Sequence, residues 1–174
     1  MLGDISNINN NIDLLYIITA ALIVDLVVII IGRKTNLFGQ QIKLWYDKFG
    51  LSAVLVDVFI IVIGIILTRD VFSITKMEFR PEYFIMIAVI ITLVHDVLLY
   101  KYIVEPSTPG QNQIIDIYRD YTKENGYKIL IADTTMIAFS CLIAMFLKNR
   151  ELHETTSLLI LTLYLVPYYV YSKY

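Results

Sequence analysis

A single cysteine, Cys141, stands in a chain of 174 residues. It lies inside an apolar stretch, so no intrachain disulfide can form and cysteine-based metal or redox motifs are excluded; a packed, inert thiol is expected. Charge is scarce as well. Asp, Glu, Lys and Arg make up 17% of the chain, against about 25% in ordinary soluble domains. No run of basic residues offers a footing for nucleic acid, and the net charge of -2 points to no partner. The N-terminal stretch before Leu14 has no Lys or Arg, so the basic region of a cleaved signal peptide is missing and the first apolar segment is expected to be retained. No Ser/His/Asp order, HExxH, Gly-rich phosphate loop or CxxC motif occurs. The sequence therefore assigns no catalytic residue and leans against an enzyme.

Apolar residues are abundant, at 57% with a mean hydropathy of +0.67. The expected solvent is the lipid bilayer. Crossing a hydrocarbon core of about 30 Å takes roughly 17–25 residues, and runs of that kind occupy Leu14–Ile31, Leu51–Leu67, Tyr83–Val104 and Ile129–Leu147. A fifth, Ser157–Tyr171, is interrupted by Pro167, which spans tolerate where neighbours satisfy the freed carbonyl. These runs use most of the length and leave one transmembrane domain, residues 1–174, with no room for a separate soluble one. The fold class expected is all-α: a polytopic bundle of about five transmembrane helices. Tyr and Trp cluster at the run ends, as interfacial anchors do.

A five-span arrangement puts Arg69, Lys76, Arg80, Lys148 and Arg150 on the side of the N-terminus. The other side holds Arg33, Lys34, Lys43, Lys48, Lys101, Arg119, Lys123, Lys128 and Lys173. The positive-inside bias then makes the second side cytoplasmic, with the N-terminus non-cytoplasmic and the C-terminus cytoplasmic. Both cytoplasmic loops carry helical stripes: Phe38, Ile42, Trp45, Tyr46 and Phe49 in the first, and Ile114, Ile115, Tyr118 and Tyr121 in the second, after a turn region at Pro106–Gly110. Two amphipathic helices lying on the membrane are expected there, chiefly as anchors. An internal echo aligns Ala21–Gly32 with Ala53–Gly64, placing Asp25 opposite Asp57. In consecutive antiparallel spans such a repeat is inverted, an arrangement that sets transporter sites near the midplane.

Asp25, Asp57, Asp96 and Asp133 fall one in each of the first four runs. A charge at the centre of a span costs about 2.5–3.5 kcal/mol on insertion scales and is rare unless it faces the bundle interior. The only basic residue within those runs is Lys101, near a run end where it can snorkel outward. Because the chain reverses at each span, the displacements of all four aspartates from the span centres point to the cytoplasmic side. At 1.5 Å per residue they share a layer about 3–8 Å from the midplane. Small residues recur on the same faces (Ala21 and Gly32, Ala53 and Gly64, Ser140), which favours close helix approach. Four carboxyl groups in one dry layer call for a positive companion: shared protons, permeating ions or a metal. Oxygen ligands with at most one imidazole, from His95, suit a hard divalent cation such as Mg²⁺, Ca²⁺ or Mn²⁺, or iron. His95 lies about 100° around the helix from Asp96, and is expected to face the next helix rather than share a bond with Asp96. Thr68, Thr92, Thr134, Thr135 and Ser140 are the candidate lining groups of a polar path.

Trp45–Ile61, with His95-Asp96, Ile131-Ala-Asp133 and Leu165-Val-Pro-Tyr168, resembles small multispanning membrane proteins encoded by large double-stranded DNA viruses. The likeness covers about residues 40–174. It implies a viral protein in a host or virion membrane and lends no residue a role. Two functions are carried forward from the sequence. One is a cation- or proton-binding membrane protein, with Asp25, Asp57, Asp96, Asp133 and His95 as the site, the four aspartates doubling as metal ligands and ion transport as the activity. The other is a structural or assembly protein of a viral or organellar membrane, with protonated aspartates as interhelical glue. A homo-oligomer is compatible with either.

Overall fold

Long apolar segments that cannot hydrogen-bond to lipid satisfy their backbone internally, and helices result. A computed structural model describes residues 2–173, and the described residues are helical with no strand. The helices are α1 (Ile12–Lys34), α2 (Gln41–Phe49), α3 (Leu51–Thr75), α4 (Pro81–Leu99), α5 (Gln113–Asn125), α6 (Lys128–Leu147) and α7 (Leu152–Val170). α4 continues through a π-helical turn, Tyr100–Val104. Four of them, α1, α3, α4 with its π turn, and α6, are long and apolar enough to cross a membrane. These are the first four expected spans, and their character is compatible with an integral multi-pass protein. α7 is not among the four; it starts earlier than the run suggested, with His153 and Glu154 in its first turn.

α1 is the central helix, packed against α3, α6 and α7, while α4 closes the bundle against α3 and α6. Small residues make these approaches. Ala20, Ala21, Ala53, Ala88 and Ala144 are fully buried, and a Cβ on Gly64 would lie 2.9 Å from Ile137 Cδ1 across the α3–α6 contact. The outward faces are apolar instead. Phe59 and Ile63 on α3, Ile90 and Val94 on α4, and Phe139 on α6 are about half exposed, a share of exposed apolar side chains compatible with lipid contact.

α3 runs past the expected end at Leu67 to Thr75 because Arg69 does not emerge into solvent there. It is 1% exposed, lies 3.8 Å from Asp13 and donates to the carbonyls of Asn7 and Asn10. The N-terminal segment is held at this end of the bundle, with Gly3 N donating to Met145 O at 2.9 Å and Ile5 fully buried.

The opposite end is built by α2 and α5, which pack against each other. α5 begins at an Asn112 N-cap that accepts from Ile114 N and Ile115 N. Its last turn supplies the cap that α2 lacks: the Glu124 carboxylate accepts from Gln40 N at 2.9 Å and Gln41 N at 3.0 Å, placing negative charge at the positive end of the α2 dipole. Arg119 fastens α5 to the π turn by donating to Val104 O at 2.8 Å and Ser107 O at 2.5 Å. Arg33, 6% exposed, pairs with Asp47 of α2 at 2.5 Å and donates to Val170 O of α7. Between α2 and α3 the chain turns at Gly50, whose φ of +53° is open only to glycine at low cost.

Candidate functional site

Spans that alternate in direction bring the start of α3, the end of α4 and the start of α6 to the same end of the bundle. There they enclose a cavity of about 300 Å³, closed at that end by α2 and α5. Asp57, Asp96 and Asp133 line it together, one from each span, so three of the four expected aspartates do converge. Its wall is otherwise mostly aliphatic and aromatic. Among its lining residues are His95, Thr92, Trp45, Tyr46, Tyr118 and Tyr121, and neither Lys nor Arg.

Each carboxyl meets a different environment. Asp57 Oδ2 accepts from Trp45 Nε1 at 3.1 Å and from the Tyr46 hydroxyl at 3.4 Å. Asp96 Oδ1 lies 3.0 Å from His95 Nδ1, while Asp96 Oδ2 is buried with no hydrogen-bond partner and the residue is only 6% exposed. The expectation for His95 is thereby corrected. Neighbours 100° apart on a helix still touch when one side chain is a long imidazole that folds back along the surface. The His95 side chain stays 44% exposed while its Nδ1 reaches inward.

Asp25 stands apart. It is fully buried, both carboxyl oxygens lack a partner among the described residues, and it does not line the cavity. Tyr46 lies within electrostatic reach of both sides: burial pushes its phenol well above the ordinary value, and the charges of Asp25 and Asp57 add to that. Burial also raises the phenols of Tyr118 and Tyr121, with Asp133 the first acidic contributor to each. These three hydroxyls remain proton donors through the physiological range.

The four aspartates do not close into one metal centre. Among the described residues no three His, Cys, Asp or Glu form a group able to hold a metal ion. Asp57 is turned to Trp45 and Tyr46, Asp96 to His95, and Asp25 lies outside. Of the hydroxyls expected along a polar path, only Thr92 reaches the cavity. Thr68, Thr134 and Thr135 donate back to Gly64 O, Leu130 O and Ile131 O in their own helices, the usual way a membrane helix satisfies a hydroxyl. Ser140 is buried without a partner.

The residues that sequence reasoning missed are the aromatics. Trp45 and Tyr46 read as anchors, yet Tyr46 is 1% exposed and both bind Asp57. The stripes themselves held the signal, since Phe38, Ile42, Trp45, Tyr46, Ile114, Ile115, Tyr118 and Tyr121 all line the cavity. No family model, curated protein or solved structure matches the chain.

Proposed function

We propose that this is a five-span membrane protein that binds a cation or protons in the cavity walled by Asp57, Asp96 and Asp133. The observation that carries the reading is the imbalance of the wall. Three acidic side chains line it with no Lys or Arg, and one buried carboxyl oxygen of Asp96 is left without a partner. Buried polar atoms are ordinarily satisfied, and an unpartnered oxygen on a residue of the cavity wall leaves that wall with negative charge to be met by something else. α7 is the fifth span in this reading. It packs along α1 and reaches from the Lys148 end of the bundle to Arg33 at the other.

The excess of basic residues around α2 and α5 makes that end cytoplasmic. A cysteine at the exposed Lys48, in a Cys141→Ser background, is expected to react with an impermeant maleimide only after the cytoplasmic face is opened. Labelling of intact cells would invert the topology.

A second reading has its own support. The bonds from Trp45 and Tyr46 to Asp57 pin α2 onto α3, as interhelical glue in a structural or assembly protein of a viral or organellar membrane would. Asp57→Asn and Asp57→Leu separate the two. Asn keeps an acceptor for both donors, whereas Leu leaves them unpaired at a cost of about 1–3 kcal/mol. Either reading expects a lower Tm for Leu and a Tm near wild type for Asn. Only the binding reading expects Asn to lose cation-dependent stabilisation or proton flux in liposomes. If wild-type protein binds no cation, inorganic or organic, and passes no protons, the structural reading stands.

A further inference from the structure

We infer that the ligand of this cavity is a small organic cation, an amine or quaternary ammonium carried on an apolar body. This rests on the cation-site reading above and names its ligand class. Three features of the cavity point the same way. Its acidic groups give it a negative wall with no Lys or Arg, and Asp96, a lining residue only 6% exposed, carries a buried carboxyl oxygen with no hydrogen-bond partner. An acidic cluster alone would not choose among cations, so the rest of the wall decides.

That wall is poorly suited to a bare inorganic ion. Mg²⁺ asks for six oxygen ligands in a near-ideal octahedron and Ca²⁺ for six to eight, and no metal-holding group of three acidic or imidazole side chains exists among the described residues. Between the carboxyls the lining is aliphatic, with Val28, Ile60, Ile61, Leu99 and Met136. Such surface replaces no hydration shell, yet it gains from covering an apolar group, at about 25 cal/mol per Å². The indole of Trp45 and the phenol rings of Tyr118 and Tyr121 line the same space. Aromatic faces beside carboxylates are how proteins hold alkylammonium groups, through cation–π attraction added to charge pairing. The volume of about 300 Å³ is at the small end of ligand cavities, which run about 300–1,000 Å³. It suits a molecule with one ring or a short branched chain, not a lipid. His95 lines the cavity and its side chain is also 44% exposed.

The chain has one tryptophan, Trp45, and it lines the cavity, so its emission reports occupancy directly. The test titrates full-length protein in nanodiscs with benzyltrimethylammonium, tetramethylammonium, the uncharged isostere neopentylbenzene, Na⁺ and Mg²⁺. Benzyltrimethylammonium is expected to give a saturable change in Trp45 emission, with a Kd at least tenfold below those of tetramethylammonium and neopentylbenzene. Asp96→Asn should weaken it at least tenfold. Ala132→Phe, which keeps every carboxyl and fills the cavity from α6, should abolish it, and this variant decides the matter if Asp96→Asn fails to fold. Equal affinity for the uncharged isostere, or unchanged binding in a folded Ala132→Phe protein, overturns the inference. Binding of Na⁺ or Mg²⁺, or proton flux, without benzyltrimethylammonium binding overturns the ligand class and leaves the cation site standing. Absence of all of these removes both.

Discussion

Replacing Asp13 by Ala is expected to destabilise the protein by about 3–5 kcal/mol, the cost of stranding a buried charge. Asp13 is fully buried in the first turn of α1, with Lys148 at 2.8 Å and Arg69 at 3.8 Å. Lys148 keeps a side-chain exposure of 22% and can turn to solvent when its partner goes. Arg69 cannot: it is 1% exposed, and its remaining partners are two backbone carbonyls, those of Asn7 and Asn10. Carbonyls satisfy donors without neutralising a charge. Truncation of Asp13 thus leaves the guanidinium with only the weaker influence of Asp70 and Asp4 where α1, α3, α6 and the N-terminal segment meet. Thermal or denaturant unfolding in detergent measures the loss. The control is the double variant Asp13→Ala/Arg69→Met, which removes the stranded charge and is expected to recover much of the stability. A double variant no better than Asp13→Ala would show that packing rather than charge holds this end together.

On the same helix the opposite result is expected at Asp25. Its carboxyl is fully buried, accepts no hydrogen bond and faces no basic partner among the described residues. Leaving a polar group unsatisfied costs about 1–3 kcal/mol, and an apolar group of similar size removes that penalty. Asp25→Leu is therefore expected to stabilise the protein by about 1–3 kcal/mol, read as a rise in Tm in detergent. Gains of this sign are common at functional positions, where natural sequences keep a destabilising group for its chemistry. A clear loss of stability in Asp25→Leu would mean that the carboxyl is satisfied after all. One aspartate on α1 is thus held by its partners and the other tolerated without them.

The four long apolar helices were legible because they depend on arithmetic along the chain. The run lengths, the scarcity of charge and the reversal of direction at each turn place the α3, α4 and α6 aspartates at one end without any knowledge of side-chain contacts. The loop stripes were legible as helices for the same reason, since 3.6-residue periodicity is local. What a stripe faces is not local. Lipid headgroups and a cavity between helices both accept an apolar stripe with tyrosine and tryptophan on it, so Trp45 and Tyr46 read equally well as anchors.

The four helices long and apolar enough to cross a membrane were legible in the amino-acid sequence alone, because hydropathy and run length are read residue by residue along the chain. The tertiary structure decided the rest through pairings between distant segments. Arg69 became the interior of a helix rather than its end because Asp13 and the carbonyls of Asn7 and Asn10 close around it. Asp25 interacts electrostatically with Asp57 but does not line the cavity that Asp57, Asp96 and Asp133 share. α2 and α5 were turned over that cavity by the cap that Glu124 gives to the start of α2 and by the bonds from Trp45 and Tyr46 to Asp57. Hydropathy is a property of each residue, and depth follows from it; facing is a property of pairs, and no count along one chain contains it.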